Sequence, residues 1–402
     1  MIPPDNGPLF LKKPLVFWSL ALVAVGLRVC GMLWPANFDQ ESWSLVSDLV
    51  LDGKNVYAST NRYNYGPVWM GIIAGLKALA GDEYFRLAVC LFLSAIDIAT
   101  AALLRARGYA LAAVIFLFSP WTIFISGHHH MFDNVAVLIG LLAVNWVESR
   151  PSMKGGEQRM SNLSIRDTII GAAIIGCSLM VKHILWIFPV WMAFRTRSFP
   201  RRVLWLCLPV GMFIASFIPF WHVGKGGIMQ NVLHYAASSN APMFYMLAPN
   251  IIDLFLGYGP HPKLARLIFG GTLILAGAVL RRRTLFEWYV TYLLFVVLLS
   301  SAIWNQFLVI PVIFTVLYRN VWGLLYHLLA IPFYIIEDSG FNLGETLSPA
   351  WDGIEAFSEL YGHYVFLSLL LAAYLREFWV PEIRRGWQAL RARVAGSVHG
   401  HE

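Results

Sequence analysis

The sequence predicts an all-α protein built into a membrane. Three observations carry that expectation. The chain of 402 residues is 58% hydrophobic and only 13% charged. Its apolar runs are long and are separated by short polar links. Its basic residues fall in small clusters between those runs, as membrane topology requires. No soluble domain of this length needs so much apolar surface. No link is long enough to fold by itself, so one membrane domain over residues 1–402 is expected. The net charge of +7 does not point to nucleic acid, because the positive charge is dispersed between spans rather than gathered on one face.

Taken in order, Lys12 and Lys13 place the N-terminus inside and send the first span, residues 14–33, outward. No small-residue cleavage site follows this span, so it is expected to stay as an anchor. Residues 40–51 put Trp43, Val46 and Val50 on one helical face, the pattern of an interfacial helix stopped by Gly53. Residues 67–80 form an apolar run shorter than the ~20 residues a span needs. If they crossed, Arg105 and Arg107, the cluster Arg195, Arg197, Arg201 and Arg202, and Arg281–Arg283 would all lie outside. Charge therefore favours a non-spanning helix, paired with 40–51 in the first outer loop.

The remaining spans are expected near 86–104, 109–126, 133–148, 168–181, 184–194, 203–221, 263–280, 285–302, 306–318, 321–336 and 360–379. That makes about twelve membrane segments, two of them too short to cross fully. Residues 34–85, 127–132, 222–262 and the acidic stretch 337–359 fall outside, and the basic tail 381–402 falls inside. Cys30, Cys90, Cys177 and Cys207 lie in or beside apolar runs with no disulfide or zinc spacing.

Three constellations could carry chemistry. Asp39 stands where the first span ends, and an acid at a membrane mouth is a site candidate. It also fits the N-cap of helix 40–51, and cap and base are compatible roles. Next, Gly127-His-His-His-Met-Phe-Asp133-Asn134 puts His128, His129 and His130 beside an acid on an outer turn. Such a turn could bind phosphate or metal, or shuttle protons, although adjacent histidines do not share a helix face. The alternative for Asp133 is a cap on the following helix. Third, Lys182 and His183 lie between two half-length helices, so a hairpin would bury them beside a cavity. A buried ammonium needs an anion, either a ligand phosphate or a carboxylate. Arg28, His222, Lys225, His234, Tyr235 and the Trp304-Asn305-Gln306 turn are weaker outer-face candidates. They make that face polar and aromatic, which suits a sugar. The chain lacks a phosphate-binding glycine loop, GxSxG and HExxH.

Together these residues resemble the GT-C glycosyltransferases, polytopic enzymes that use polyprenyl- or dolichyl-phosphate sugars. The resemblance rests on Asp39 after the first span, Trp43, Gly53-Lys-Asn-Val-Tyr57, Tyr63-Asn-Tyr65-Gly-Pro67, the segment Ser126–Asn134 and the pair Lys182-His183. It covers residues 10–220 as a core module, with 221–380 as a variable membrane module. The turn reads Tyr65-Gly-Pro here where relatives often have Tyr-Pro-Pro, and Asp39 has no adjacent second acid.

The resemblance implies an inverting transfer of a hexose, mannose or glucose, from a polyprenyl-phosphate donor to a hydroxyl of a glycan, glycolipid or protein. Asp39 would be the base. Lys182, His183 and His128–His130 would hold the phosphate, and Asp133, Arg28, Tyr63, Tyr65, His234, Tyr235, Asn305 and Gln306 would be further site residues. No cofactor is required on this reading, and a divalent ion is left open. The active site would face the periplasm or exterior of a bacterial inner or plasma membrane. The alternatives are a transporter or flippase of a lipid-linked sugar, or a glycan ligase or polymerase.

Overall fold

The computed structural model describes residues 2, 7–153, 160, 163–234, 262–300, 303–336, 362–382 and 387–388, with side chains of 262–265 excepted. Among the described residues the fold is helical, with no strand. In chain order the helices are α1 (Pro14–Met32), α2 (Phe38–Leu51), α3 (Val56–Ser59), α4 (Pro67–Ala106), α5 (Ala110–Phe118) and α6 (Pro120–Phe124). There follow α7 (Asp133–Glu148), α8 (Ile165–Val181), α9 (Phe188–Arg195), α10 (Phe199–Ala215) and α11 (Trp221–Gly227). The last are α12 (Pro262–Val279), α13 (Leu285–Leu298), α14 (Val312–Leu317), α15 (Val321–Leu328), α16 (Ala330–Ile336) and α17 (Gly362–Glu382).

Four described helical runs are long and apolar enough to cross a membrane: α1, α4, Phe199–Leu233 and α17. A fifth is formed if Ala110–Phe118 and Pro120–His129, bent by 50°, count as one. The other expected spans coincide with shorter helices, so length and composition do not reach twelve. The expected outer loop 222–262 begins later than its polarity indicates. Helix α11 and a π-turn, Ile228–Leu233, carry the helical run on to Leu233. Tyr235, most of that loop, the stretch 337–359 and most of the tail lie outside the described residues.

Local chemistry sets the first outer segment. Asn37 caps α2 by accepting from Gln40 N at 3.0 Å, so Asp39 is not the cap but lies inside the first turn. The helix ends as expected at Gly53, whose φ of 70° permits the closing bond from Lys54 N to Leu49 O at 2.8 Å. Helix α4 begins at Pro67 and is broken at Gly81, also at φ 70°. The break separates residues 67–80 from the following run, where the sequence places the boundary. Lys77 braces this elbow, reaching Asp48 of α2 at 2.5 Å, Ser44 Oγ at 3.0 Å and Asp82 at 2.9 Å.

The core is one continuous apolar and aromatic cluster. Helix α8 is packed between α7 and α10, and α1 lies against α4. A buried polar knot ties four elements at its centre. Arg28 of α1 meets Asp97 of α4 at 3.0 Å. Asp97 also accepts from Ser126 at 2.7 Å and from Asn134 of α7 at 2.6 Å.

Candidate functional site

A cavity of about 1050 Å³ opens where α2, the 61–65 loop, the α8–α9 turn, α10, α12 and the 304–307 turn converge. Its wall carries Asp39, Tyr65, Lys182, His183 and Gln306. Residues far apart in sequence are thus brought to one chamber.

Asp39 enters from the first turn of α2, beside Phe38. No hydrogen bond or ion pair engages its carboxylate among the described residues. Desolvation pushes its pKa up from 3.8 to about 6, Lys182 nearby pulls it down, and Asp133 pushes it up. A carboxylate so placed can accept a proton near neutral pH.

Lys182 follows the last turn of α8 with extended backbone, φ −150° and ψ 134°, and one 3₁₀ turn, His183–Leu185, leads into α9. Two helices separated by a break at Lys182–Leu185 are therefore present. The Lys182 ammonium donates to Asp133 Oδ2 at 2.6 Å, and both side chains are buried. The rings of Tyr65 and Phe132 lie 5.1 Å from it and that of Phe307 5.5 Å, which adds cation–π attraction. Of the two anions the sequence left open, the carboxylate is the one in place. Asp133 accordingly does not cap α7; it is the counter-ion of Lys182.

Two glycines bring the loops this close. A Cβ on Gly66 would run into the Met180 carbonyl oxygen. Its absence lets Tyr65-Gly66-Pro67 pack directly on the end of α8, beside Lys182. On Gly127 a Cβ would lie 2.6 Å from Arg28 O, so the histidine turn rests on the backbone of α1.

The histidine turn does not reach the cavity wall. His128, His129 and His130 are buried in a π-turn that ends with His130 in the left-handed region at φ 56°. Their contribution to the site runs through the main chain. His128 O accepts from Gln40 Nε2, and His130 O accepts from Trp43 Nε1 at 3.1 Å. Both donors belong to α2, so the turn holds the helix that carries Asp39. The His129 ring packs on Tyr334, with centroids 5.5 Å apart.

Other expected residues are also placed elsewhere. Arg28 is buried on Asp97. Tyr63 is a buried staple, donating to Gly66 O at 2.6 Å and accepting from Met70 N at 3.0 Å. Asn305 is buried off the wall, while its neighbour Gln306 is on it. His234 ends the π-turn, its N–H bonded to Met229 O at 2.8 Å, away from the cavity. Tyr235 is outside the described residues. No group of three or more His, Cys, Asp or Glu suited to a metal occurs among the described residues.

The wall also carries Asn61, Arg62, Asn64, Trp186, Arg266 and Trp304. Arg62 stacks over Phe38 at 4.2 Å and reaches Glu41 at 3.7 Å. The polar run Asn61-Arg62-x-Asn64 was visible in the sequence, but nothing there told it from an ordinary solvated loop. The chamber thus combines one unpartnered acid, several cations, exposed indole rings and an apolar depth. Comparison with protein-family models, curated proteins and solved structures gives no match.

Proposed function

We propose that this protein is an inverting membrane glycosyltransferase that moves a hexose from a polyprenyl-phosphate donor to an acceptor hydroxyl. The observation that carries the reading is the placement of unpartnered Asp39 on the same wall as Lys182 and His183. The sequence resemblance assigns these residues complementary roles, and a cavity of about 1050 Å³ is of the size that takes a small-molecule ligand.

In the proposed step Asp39 removes the proton from the acceptor hydroxyl. The oxygen attacks the anomeric carbon from the face opposite the phosphate. The new glycosidic C–O bond forms as the bond to the phosphate oxygen breaks, so the configuration inverts. The electron pair leaves on the lipid phosphate, and the proton ends on Asp39. Hydrogen bonds from Lys182 and His183 stabilise the charge that develops on the leaving oxygen. Trp186 and Trp304, both exposed at the wall, offer flat apolar surfaces for the sugars. The reaction would face the periplasm or exterior. A transporter coupled to an ion through Asp97 is disfavoured, since both oxygens of that carboxylate are engaged by Arg28, Ser126 and Asn134.

The test is to incubate purified protein with polyprenyl-phosphate mannose, glucose and arabinose, each with membrane-extracted glycolipid acceptors. Release of free polyprenyl phosphate from one donor, lost in Asp39→Asn, supports the reading. No release from any donor overturns it.

A further inference from the structure

Two basic turns meet away from the chamber. The α9–α10 turn and the start of α10 carry Arg195, Arg197, Arg201 and Arg202, with no acid between them in the chain. The α12–α13 turn is Arg281-Arg282-Arg283. The fold holds the two turns against each other. Arg195 Nη1 donates to Arg283 O at 2.9 Å, and Arg202 Nε donates to Thr196 O. Helix α9 also clasps α12, since Trp191 Nε1 donates to Leu273 O at 2.9 Å. Keeping positive charge on one side of a membrane requires basic loops, but it does not require two of them to be joined.

Most of these arginines are already engaged. Arg195 and Arg202 tie the turns. Arg283 lies 3.6 Å over the Phe378 ring. Arg282 faces a cleft that also carries Glu287, Glu377 and Glu382. Arg197 and Arg281 remain. Both side chains are exposed, and neither makes a hydrogen bond, ion pair or ring contact among the described residues.

Each of the two is followed along its helix by exposed apolar surface. Two positions from Arg197, Phe199 is 75% exposed, and Val203 and Leu206 continue its stripe at i+4 and i+7 on α10. Two positions from Arg281, Val279 is 70% exposed, and Leu275 lies one turn further along α12. Cations at the head of bare apolar helix faces match a molecule with an anionic head and hydrocarbon tails. An acidic soluble protein would match the charge but leave the stripes uncovered. Basic pockets between membrane helices are a recognised way to hold anionic lipid head groups.

We infer that the joined α9–α10 and α12–α13 turns bind an anionic phospholipid, with Arg197 and Arg281 on its phosphate and its acyl chains along α10 and α12. A guanidinium suits the phosphate, because two parallel N–H donors can meet two of its oxygens. The site is separate from the Asp39 chamber and does not depend on the reaction proposed for it.

Native mass spectrometry of the full chain, titrated with phosphatidylglycerol or phosphatidylcholine of identical oleoyl chains, tests the inference. The wild type should prefer phosphatidylglycerol. An arginine near an anionic lipid contributes about fivefold in affinity, so Arg197→Gln/Arg281→Gln should reduce that preference by roughly 25-fold. Lys12→Gln/Lys13→Gln, which removes two exposed charges elsewhere, should leave it intact. Phe199→Ser should weaken dioleoyl-phosphatidylglycerol more than the dihexanoyl form. Soluble glycerol phosphate should not displace the lipid. An unchanged preference in the arginine double variant would overturn the site, and an equal loss in the lysine variant would reduce it to general surface charge. Displacement by glycerol phosphate, or equal effects of Phe199→Ser on both chain lengths, would remove the acyl chains from the account and overturn the lipid assignment.

Discussion

The Lys182 ammonium lies 2.6 Å from Asp133 Oδ2, with both side chains withdrawn from solvent. The pair joins the end of α8 to the start of α7 at the edge of the chamber. Removing one member of a buried ion pair leaves the other uncompensated, at a cost of ~3–5 kcal/mol. Asp133→Asn should therefore lower the thermal stability of the purified protein by about that amount. The double variant Lys182→Met/Asp133→Asn should recover part of it. Equal stability of Asp133→Asn and wild type, in matched detergent scans, would show that the pair does not brace the site.

Asp39 should give the reaction an acidic limb. As the base it must be ionised, so kcat/KM rises with pH through about 6 and levels off above. Lys182 lowers this pKa and Asp133 raises it, so their removal moves the limb in opposite directions. Lys182→Met should shift it to higher pH, and Asp133→Asn to lower pH. Asp39→Asn should lower the rate by ~10²–10⁴-fold with the fold intact. A limb unmoved in all three variants would assign it to another group.

Much of this site was legible because it depends on local rules. Apolar runs made the helices, Gly53 stopped α2, and the break after 67–80 fell at Gly81. Asp39 and Lys182 drew notice as charges beside apolar runs, and the fold does bring them together. What the sequence could not settle was pairing. Lys182 could take a phosphate or a carboxylate, and only packing puts Asp133 beside it. Arg28 read as an outer-face candidate, yet Asp97, 69 positions away, claims it. The histidines looked like ligands, but their carbonyls do the positioning, and a main-chain acceptor has no side-chain signal. Arg266 went unnoticed because a single arginine at the start of an apolar run matches an ordinary topology determinant. Its spacing from Phe269, Gly270 and Ile274 was readable, but which face lined a cavity was not.

Gly66 is a steric requirement rather than a conformational one. Its φ of −67° and ψ of 160° suit any residue. A methyl group there would nevertheless meet the Met180 carbonyl oxygen. Gly66→Ala must push the loop off α8, at the ~1–3 kcal/mol typical of overpacking. Because Tyr65 and Lys182 flank this contact, activity should fall more than stability does. Gly71→Ala is the control, since nothing lies within 4 Å of its Cβ. It should be neutral or slightly stabilising, as alanine is the better helix former. Equal effects of the two substitutions on unfolding temperature and turnover would remove the contact from the account.

Arg28 uses its whole donor fork. Nε and Nη2 reach Asp97 Oδ2 at 3.1 and 3.0 Å, Nη2 also reaches Thr122 Oγ1 at 3.0 Å, and Nη1 reaches Ala24 O and Leu117 O at 2.9 and 3.1 Å. A guanidinium has five N–H groups in fixed directions, and this set of acceptors matches them. Lysine has the charge but only three donors on a flexible stem, so it cannot meet the same acceptors. Arg28→Lys should therefore destabilise the protein despite keeping the charge. Arg28→Met should be worse, by ~3–5 kcal/mol, because it strands a buried carboxylate. Arg28→Met/Asp97→Asn should be milder than Arg28→Met alone, since the amide needs no counter-charge. The knot also holds Ser126 and Asn134, which frame the turn beneath α2 and the start of α7. Loosening it should lower turnover without moving the acidic limb set by Asp39. Thermal scans and pH–rate profiles on these three variants separate a structural knot from a residue of the reaction, because only the latter would shift the profile.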